Sequence, residues 1–265
     1  MSALRTIRRA GSRYYLDPET HERVPGVTSI IDMLPKSALT FWYAKMAAES
    51  AVDNVGAVVQ LLVNGQRAAA IDMIKGAARR YTTEAASVGT EVHDLFERMA
   101  RGEQVPRLHP DVQPYADHIQ DFLDRCQPRF LHIEDTVWSD SHLYAGSFDW
   151  IAEIGGDVVM GDTKTTRSGV KSSVALQLAA YRHADRIVTR TGEHIGVPVT
   201  SHAAVFHVRP EGWQLVPVNA DGEVFDYFLH LRRIFAWEKE ASVTAVGHPL
   251  IDTRTESTGS QRRAS

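Results

Sequence analysis

The stretch FDWIAEIGGDVVMGDTKTT, Phe148–Thr166, decides how this chain is read. Two runs of apolar, β-branched and aromatic residues flank Gly155-Gly156, a pair suited to a tight hairpin turn. The pattern predicts two antiparallel strands, yet both carry charge: Asp149 on the first, Asp162 and Lys164 on the second. Side chains alternate across a strand, so Asp162 and Lys164 share one face while Gly161, Thr163 and Thr165 share the other. Asp149 lies six positions before Gly155 and Asp162 six after Gly156, so a two-residue turn sets them directly opposite. A slip of one residue would part them. Facing carboxylates in an apolar setting are costly without compensation, and a hard divalent cation held by oxygen ligands is the natural one. The bland alternative is a salt bridge at a strand end. Of the six lysines, only Lys164 has an acid two residues before it.

Outward from this hairpin, FLHIEDTVWSD and LYAGSFDWIAEI extend it to a three-stranded antiparallel meander with a turn at Ser139-Asp140-Ser141. SSVALQLAAYRHADRIVTR reads as one helix capped by Ser172 or Ser173, and SHAAVFHVRP and GWQLVPVN as two more strands. DGEVFDYFLHLRRIFAWEKEA is a closing amphipathic helix with Val224, Tyr227, Phe228, Leu231, Ile234 and Phe235 on one face. Upstream, VTSIIDML through Arg101 is helical, with breaks at Pro35 and Asn64-Gly65 and Ser37 as a cap. In TEAASVGTEVHDLFERMARG, Val92, Leu95, Phe96 and Met99 form a buried stripe and Gly102 a stop. DVQPYADHIQDFLDRC is a further helix. The division expected is a basic arm or hairpin over 1–25 with Tyr14 and Tyr15 packing back, a helical region over 26–128, a sheet-bearing core over 129–241, and a disordered polar tail over 242–265 that carries Arg254, Arg262 and Arg263. Helices followed by β-β-β-α-β-β-α indicate an α/β or α+β fold.

Composition narrows the class. At 265 residues and 43% hydrophobic, the chain can bury a sizeable core. Its formal net charge of −4 does not announce a nucleic-acid partner, so any polyanion must meet a local basic patch. Cys126 is the single cysteine, which excludes a disulfide framework or a site of several thiolates. No apolar run approaches the ~20 residues of a membrane span, and the start has no hydrophobic signal core. A cytoplasmic chain is the expectation.

Two helices add chemistry beside the charged hairpin. His93 flanks the buried stripe and Glu97 lies one turn on, so both can face the sheet; the bland reading is a half-buried histidine and a solvated acid. Gln177 and Tyr181, four apart, share a helix face, either as packing or as a pair that braces a site or touches DNA. Positive charge lies near in Arg79, Arg80, Arg98 and Arg101, and after the hairpin in Arg167, Lys171, Arg182 and Arg186.

GTEVH, AGSFDWIAEI, VVMGDTKT and QLAAY, in that order, resemble the PD-(D/E)XK nuclease superfamily and within it the RecB-like and phage-type exonucleases. The match spans roughly residues 86 to 185, and VPGVTSIIDMLPKSALTFWYAKMAAE resembles the leader of phage-encoded members. The resemblance implies a restriction-endonuclease-like core: a central mixed β-sheet flanked by helices, with a helical N-terminal elaboration. It implies that His93, Asp149, Asp162 and the Thr163 backbone carbonyl hold one or two Mg²⁺ or Mn²⁺ ions, and that Lys164 positions water and stabilises phosphate charge. Gln177 and Tyr181 would support the site or contact DNA, with Glu134, Arg167 and Lys171 as further candidates. The activity implied is hydrolysis of DNA phosphodiesters, as an exonuclease on linear ends in recombination, repair or phage DNA processing. A structure-specific endonuclease and an inactive DNA-binding relative stay open as alternatives. A helicase, recombinase or single-strand annealing protein would be the partner, in a host cytoplasm if the chain is phage-encoded. The iron–sulfur cluster of some relatives needs four cysteines and is excluded. The Gly-rich phosphate loop of a motor is absent.

Overall fold

A computed structural model describes residues 4–17, 20–105, 107–251 and 253, apart from the side chains of residues 38 and 84–86. In chain order the elements are β1 (Thr6–Arg9), β2 (Ser12–Leu16), β3 (Arg23–Pro25), α1 (Val27–Ile31), α2 (Ser37–Asp53), α3 (Val55–Val63), α4 (Arg67–Lys75), α5 (Ala77–Ala100) and α6 (Gln113–Cys126). Then come β4 (Arg129–Ile133), β5 (Thr136–Ser139), β6 (Tyr144–Ser147), β7 (Trp150–Ile154), β8 (Asp157–Lys164), α7 (Ser173–Arg182), β9 (Arg186–Val188), β10 (His194–Gly196), β11 (His202–Arg209), β12 (Gly212–Val218) and α8 (Gly222–Lys239). The chain is a mixed α/β protein. Its central sheet, ordered β12-β11-β8-β7-β4, is mixed: β11 runs parallel to β8 and the other neighbours are antiparallel.

Alternation along the central strands sends each face to its own layer of helices. Trp150, Ala152, Val159, Ala204, Phe206 and Val208 pack with Val92, Phe96, Ile119 and Phe122 of α5 and α6. Ile151, Met160, Ala203 and Val205 pack with α1, α7 and α8. Gly161 shows how tightly the first face is filled. It pairs with Trp150, and a Cβ built on it would lie 1.9 Å from the indole, so the ring lies directly over the glycine backbone. The residue before Asp162 is glycine because nothing larger fits under Trp150.

The hairpin register is Ile154↔Asp157 through Trp150↔Gly161, around Gly155 and Gly156, both at positive φ. Extended one step, that register sets Asp149 opposite Asp162. The expected three-stranded meander is nevertheless corrected. Each of its first two strands breaks in the middle, so β5 and β6 leave the central sheet and join β9 and β10 in a second one, ordered β10-β9-β5-β6. The breaks coincide. Glu134 takes a left-handed conformation at φ 57, its amide donates to the Asp149 carbonyl at 2.9 Å, and the Phe148 amide donates to the Asp135 carbonyl at 3.1 Å. The two strands therefore turn the corner together without orphaning their backbone groups.

The helix expected over SSVALQLAAYRHADRIVTR ends at Arg182, and Arg186–Val188 is a strand beside β5. The Asp185 carboxylate accepts from Ser139 Oγ at 2.8 Å and from the Ser141 amide at 3.0 Å, pinning the chain to the β5 turn, and Ile187 and Val188 are buried there. Tertiary contacts override the local helical period. The buried stripe of α8 is also shifted: Phe225, Phe228, Leu231 and Phe235 point inward, while Tyr227 and Ile234 are exposed. Asp221 caps α8 by accepting from the Val224 amide at 3.0 Å, whereas neither Ser37 nor Ser172 makes a side-chain cap bond. The expected arm is a three-stranded sheet, β1-β2-β3, with Tyr14 and Tyr15 buried. A 3₁₀ turn, Ala241–Thr244, follows α8, and Arg254, Arg262 and Arg263 lie outside the described residues. Among the described residues no single helix is long and apolar enough to cross a membrane.

Gly161→Ala is expected to destabilise the fold by about 2–3 kcal/mol or more, the range of overpacked cores. Denaturant unfolding checks this, and in a Trp150→Leu background the same substitution should cost less, because the clash is with the indole.

Candidate metal centre

Three neighbouring strands bring three acids into a row. The β4–β7 register of Ile133↔Trp150, extended one step, sets Glu134 opposite Asp149, and the β7–β8 register sets Asp149 opposite Asp162. Asp149 is the middle member and holds the row together. Its carbonyl accepts the Glu134 amide, and its Oδ2 accepts the Thr163 amide at 2.6 Å. The helix α5 then lays His93 across the corner, with Nδ1 3.4 Å from Asp149 Oδ2. Gly89, one turn before His93, faces the residue that follows β8: a Cβ there would make ordinary contact with Thr165 Oγ1 at 3.4 Å.

His93, Glu134 and Asp149 each offer one ligand atom, and these atoms lie within 4.8 Å of one another. Burial, then the charges of Asp149 and Glu97, push the Glu134 carboxyl up to about 8. Glu97 borders this group and is itself tied to the Arg101 and Arg190 guanidiniums. Two carboxylates and an imidazole converging in this way form a donor set that could hold a divalent metal ion. The protonation that Glu134 adopts by itself is the alternative to a compensating cation. In the sequence Glu134 stands out only as a further candidate. The signal was there in the acidic pair Glu134-Asp135 closing an apolar run. Its position opposite Asp149, however, depends on an irregularity in β4 between Phe130 and His132 that counting along the sequence would not reveal.

Asp162 and Lys164 form the adjoining half of the site. Asp162 is 1% exposed; its Oδ1 accepts from Gln177 Nε2 at 3.0 Å, and its Oδ2 faces the Lys164 ammonium at 2.5 Å with no other donor among the described residues. Burial, reinforced by Asp149, raises the Asp162 pKa against the opposing pull of Lys164. Burial disfavours the Lys164 ammonium, but Asp162 and Asp149 outweigh it and keep the lysine charged. The salt bridge that was the bland reading of D-x-K is therefore present, but beside a further acid and a histidine. Thr163 is buried between these halves, and it is the Thr163 amide that is tied to Asp149.

Gln177 Nε2 also meets the Tyr181 hydroxyl at 3.1 Å, so the helix pair braces Asp162. Tyr181 is 2% exposed, and contact with DNA is excluded for it by burial. Its ring occupies the space left by Gly146: a Cβ there would lie 2.6 Å from Tyr181 Cε1 and 3.0 Å from Val27 Cγ2. The glycine three residues before Asp149 thus makes room for the brace.

The expected basic surface is largely absorbed into structure. Arg182 holds Thr200 and the Ala220 carbonyl, and Arg186 pairs with Asp140 and Asp17 above the Trp138 ring. Arg98 is held by Glu103 and the Gln104 carbonyl, Arg101 by Glu97 and the Ile133 carbonyl, and Arg80 by the Met73 carbonyl. Arg79, Arg167 and Lys171 are exposed, without an ion pair among the described residues.

No protein-family model matches the chain, and no curated protein matches it.

Since the folded chain keeps the Glu134 proton up to about pH 8 and an unfolded glutamate loses it near the ordinary 4.5, the metal-free protein should lose stability as pH rises between these values. The expected loss is on the order of a few kcal/mol. Urea melts at pH 5 and pH 8.5 check it. Glu134→Gln should flatten the dependence, and Mg²⁺ or Mn²⁺ should restore stability to the unsubstituted chain at the higher pH.

Proposed function

We propose that this chain is a metal-dependent nuclease of the PD-(D/E)XK type that hydrolyses phosphodiester bonds of DNA, acting on linear ends. The observation that carries the reading is the alignment of Glu134, Asp149 and Asp162 on three adjacent strands, with His93 above Asp149 and Lys164 two residues beyond Asp162. Attack on a phosphodiester needs an activated water and neutralisation of the charge that grows on the phosphoryl oxygens. His93, Glu134, Asp149 and Asp162 are the residues that would hold Mg²⁺ or Mn²⁺, with the Thr163 carbonyl as a further oxygen. Such a cation supplies Lewis acidity and a water of lowered pKa.

The chain's own groups supply the rest. Lys164 stays charged and partly exposed beside Asp162, which fixes its direction; an incoming phosphate would meet it there. Gln177 holds Asp162 from behind, and the buried Tyr181 sets Gln177, so the carboxylate cannot rotate away. Such prior orientation contributes to catalysis because it is not gained at the expense of the reaction step. Attack on linear ends follows from the resemblance to phage-type exonucleases.

The test uses end-labelled linear and circular DNA, single- and double-stranded, with Mg²⁺, Mn²⁺ or EDTA. Degradation should require the divalent ion and spare the circles. Lys164→Ala and Asp149→Asn should each slow it by about 100-fold or more, the scale of losing one transition-state-stabilising group. Equal cutting by these variants, or none by the unsubstituted chain, rejects the proposal.

A further inference from the structure

With most of the expected basic residues engaged elsewhere, the largest run of unengaged positive charge near the site is the β1–β2 hairpin. Between Leu4 and Leu16 the chain carries Arg5, Arg8, Arg9 and Arg13 and no acid. All four side chains are exposed, and none has an ion-pair partner among the described residues. The register places Arg8 directly opposite Arg13. Like charges directly opposed across a ladder destabilise a hairpin, and among the described residues neither arginine forms an ion pair that would relieve them. Such a pair is stable in isolation only at a cost, and a polyanion would remove that cost.

The hairpin is tied by hydrogen bonds to the strand that precedes Asp149. Its turn, Ala10-Gly11, has both residues at positive φ (46° and 79°), as in the tight primed turns whose twist matches the strands. The Arg13 amide donates to Ser29 Oγ at 2.8 Å, and its carbonyl accepts the Gly26 amide at 2.9 Å. Gly26 in turn bridges to Ala145 of β6, and the Tyr15 hydroxyl accepts from the Ser147 amide at 3.1 Å. Ser147 is two residues before Asp149. The arginines are thus carried on a ribbon attached to the strand that leads into the metal centre.

We infer that the β1–β2 hairpin is a DNA-binding ribbon that contacts the sugar–phosphate backbone of the substrate, chiefly through Arg8 and Arg13. It rests on the nuclease reading only for the identity of the polymer; binding can be measured where nothing is cut. The competing role is protection, since charged residues on an edge strand such as β1 discourage edge-to-edge association.

The experiment is fluorescence anisotropy of a labelled DNA duplex, and of the matching single strand, with the full chain in EDTA across a salt series. Arg8→Gln/Arg13→Gln is compared with Arg67→Gln/Arg233→Gln, which removes the same charge from exposed positions on α4 and α8. The hairpin variant should bind at least tenfold more weakly at low salt. Its slope of log K against log salt should be shallower by about two contacts at ~0.9 each for a duplex. The control should keep the parent slope. Relief of the opposed charges should leave the hairpin variant's melting temperature in low salt unchanged or raised, which separates lost binding from lost folding. Should glutamine at both positions unfold the chain, Arg13→Gln alone is read in the same way, for about one contact. Parent-like affinity and slope in a folded variant overturn the inference, and so does self-association of the variant with DNA binding intact, which would assign protection instead. Arginine-dependent binding by a chain that cuts nothing would uphold the ribbon and reject the nuclease. Cutting with arginine-independent binding would do the reverse.

Discussion

Everything around the candidate site depends on Asp149 sitting at a corner. Its carbonyl takes the Glu134 amide and its carboxylate takes the Thr163 amide, so one residue ties together three strands where two of them leave the central sheet. Without that corner the strands would continue straight, and Glu134 and Asp149 would be one more pair on a ladder. With it, their carboxyl groups are turned toward His93, and a half-buried cluster forms in which Glu134 holds its proton up to about pH 8 when no cation is bound. The fold and the chemistry therefore share one constraint.

The glycines of the site serve that constraint by leaving space. Gly161 lies under the Trp150 indole, and Gly146 admits the Tyr181 ring and the Val27 side chain. Each stands within four residues of an acid or histidine of the site, and each sets how closely a neighbouring element can approach. Trp150 anchors the sheet to the aromatic layer of Phe96, Phe122 and Phe130 on one side, while Tyr181 and Gln177 brace Asp162 on the other. A buried carboxylate facing an ammonium would be a weak source of stability on its own. Here the pair is braced by Gln177, which also meets the buried Tyr181.

Electrostatics distribute differently from what composition suggested. Of the arginines that follow the D-x-K strand, Arg182 and Arg186 hold loops and carbonyls in place and are structural cations. The unengaged arginines of β1 and β2 lie at the opposite end of the sequence but are joined to β6 through Gly26 and Tyr15. A net-acidic chain can in this way present a local positive surface.

The sequence by itself determined the parts governed by local periodicity and short-range geometry. The Gly155-Gly156 turn, the opposition of Asp149 and Asp162, the shared face of Asp162 and Lys164, and the Gln177–Tyr181 pair all follow from periods of two and about four residues. They also follow from a turn whose length fixes the register. What only the tertiary structure decided were features set by contacts between distant segments. The break of the meander into two sheets needs the Glu134–Asp149 and Phe148–Asp135 backbone bonds, and the conversion of Arg186–Val188 from helix to strand needs the β5 edge and the Ser139–Asp185 bond. The role of Glu134 needs an irregular strand, and the fate of each arginine depends on which carbonyl or carboxylate the fold sets before it. Local pattern specifies which face a residue shows; only packing specifies what that face meets.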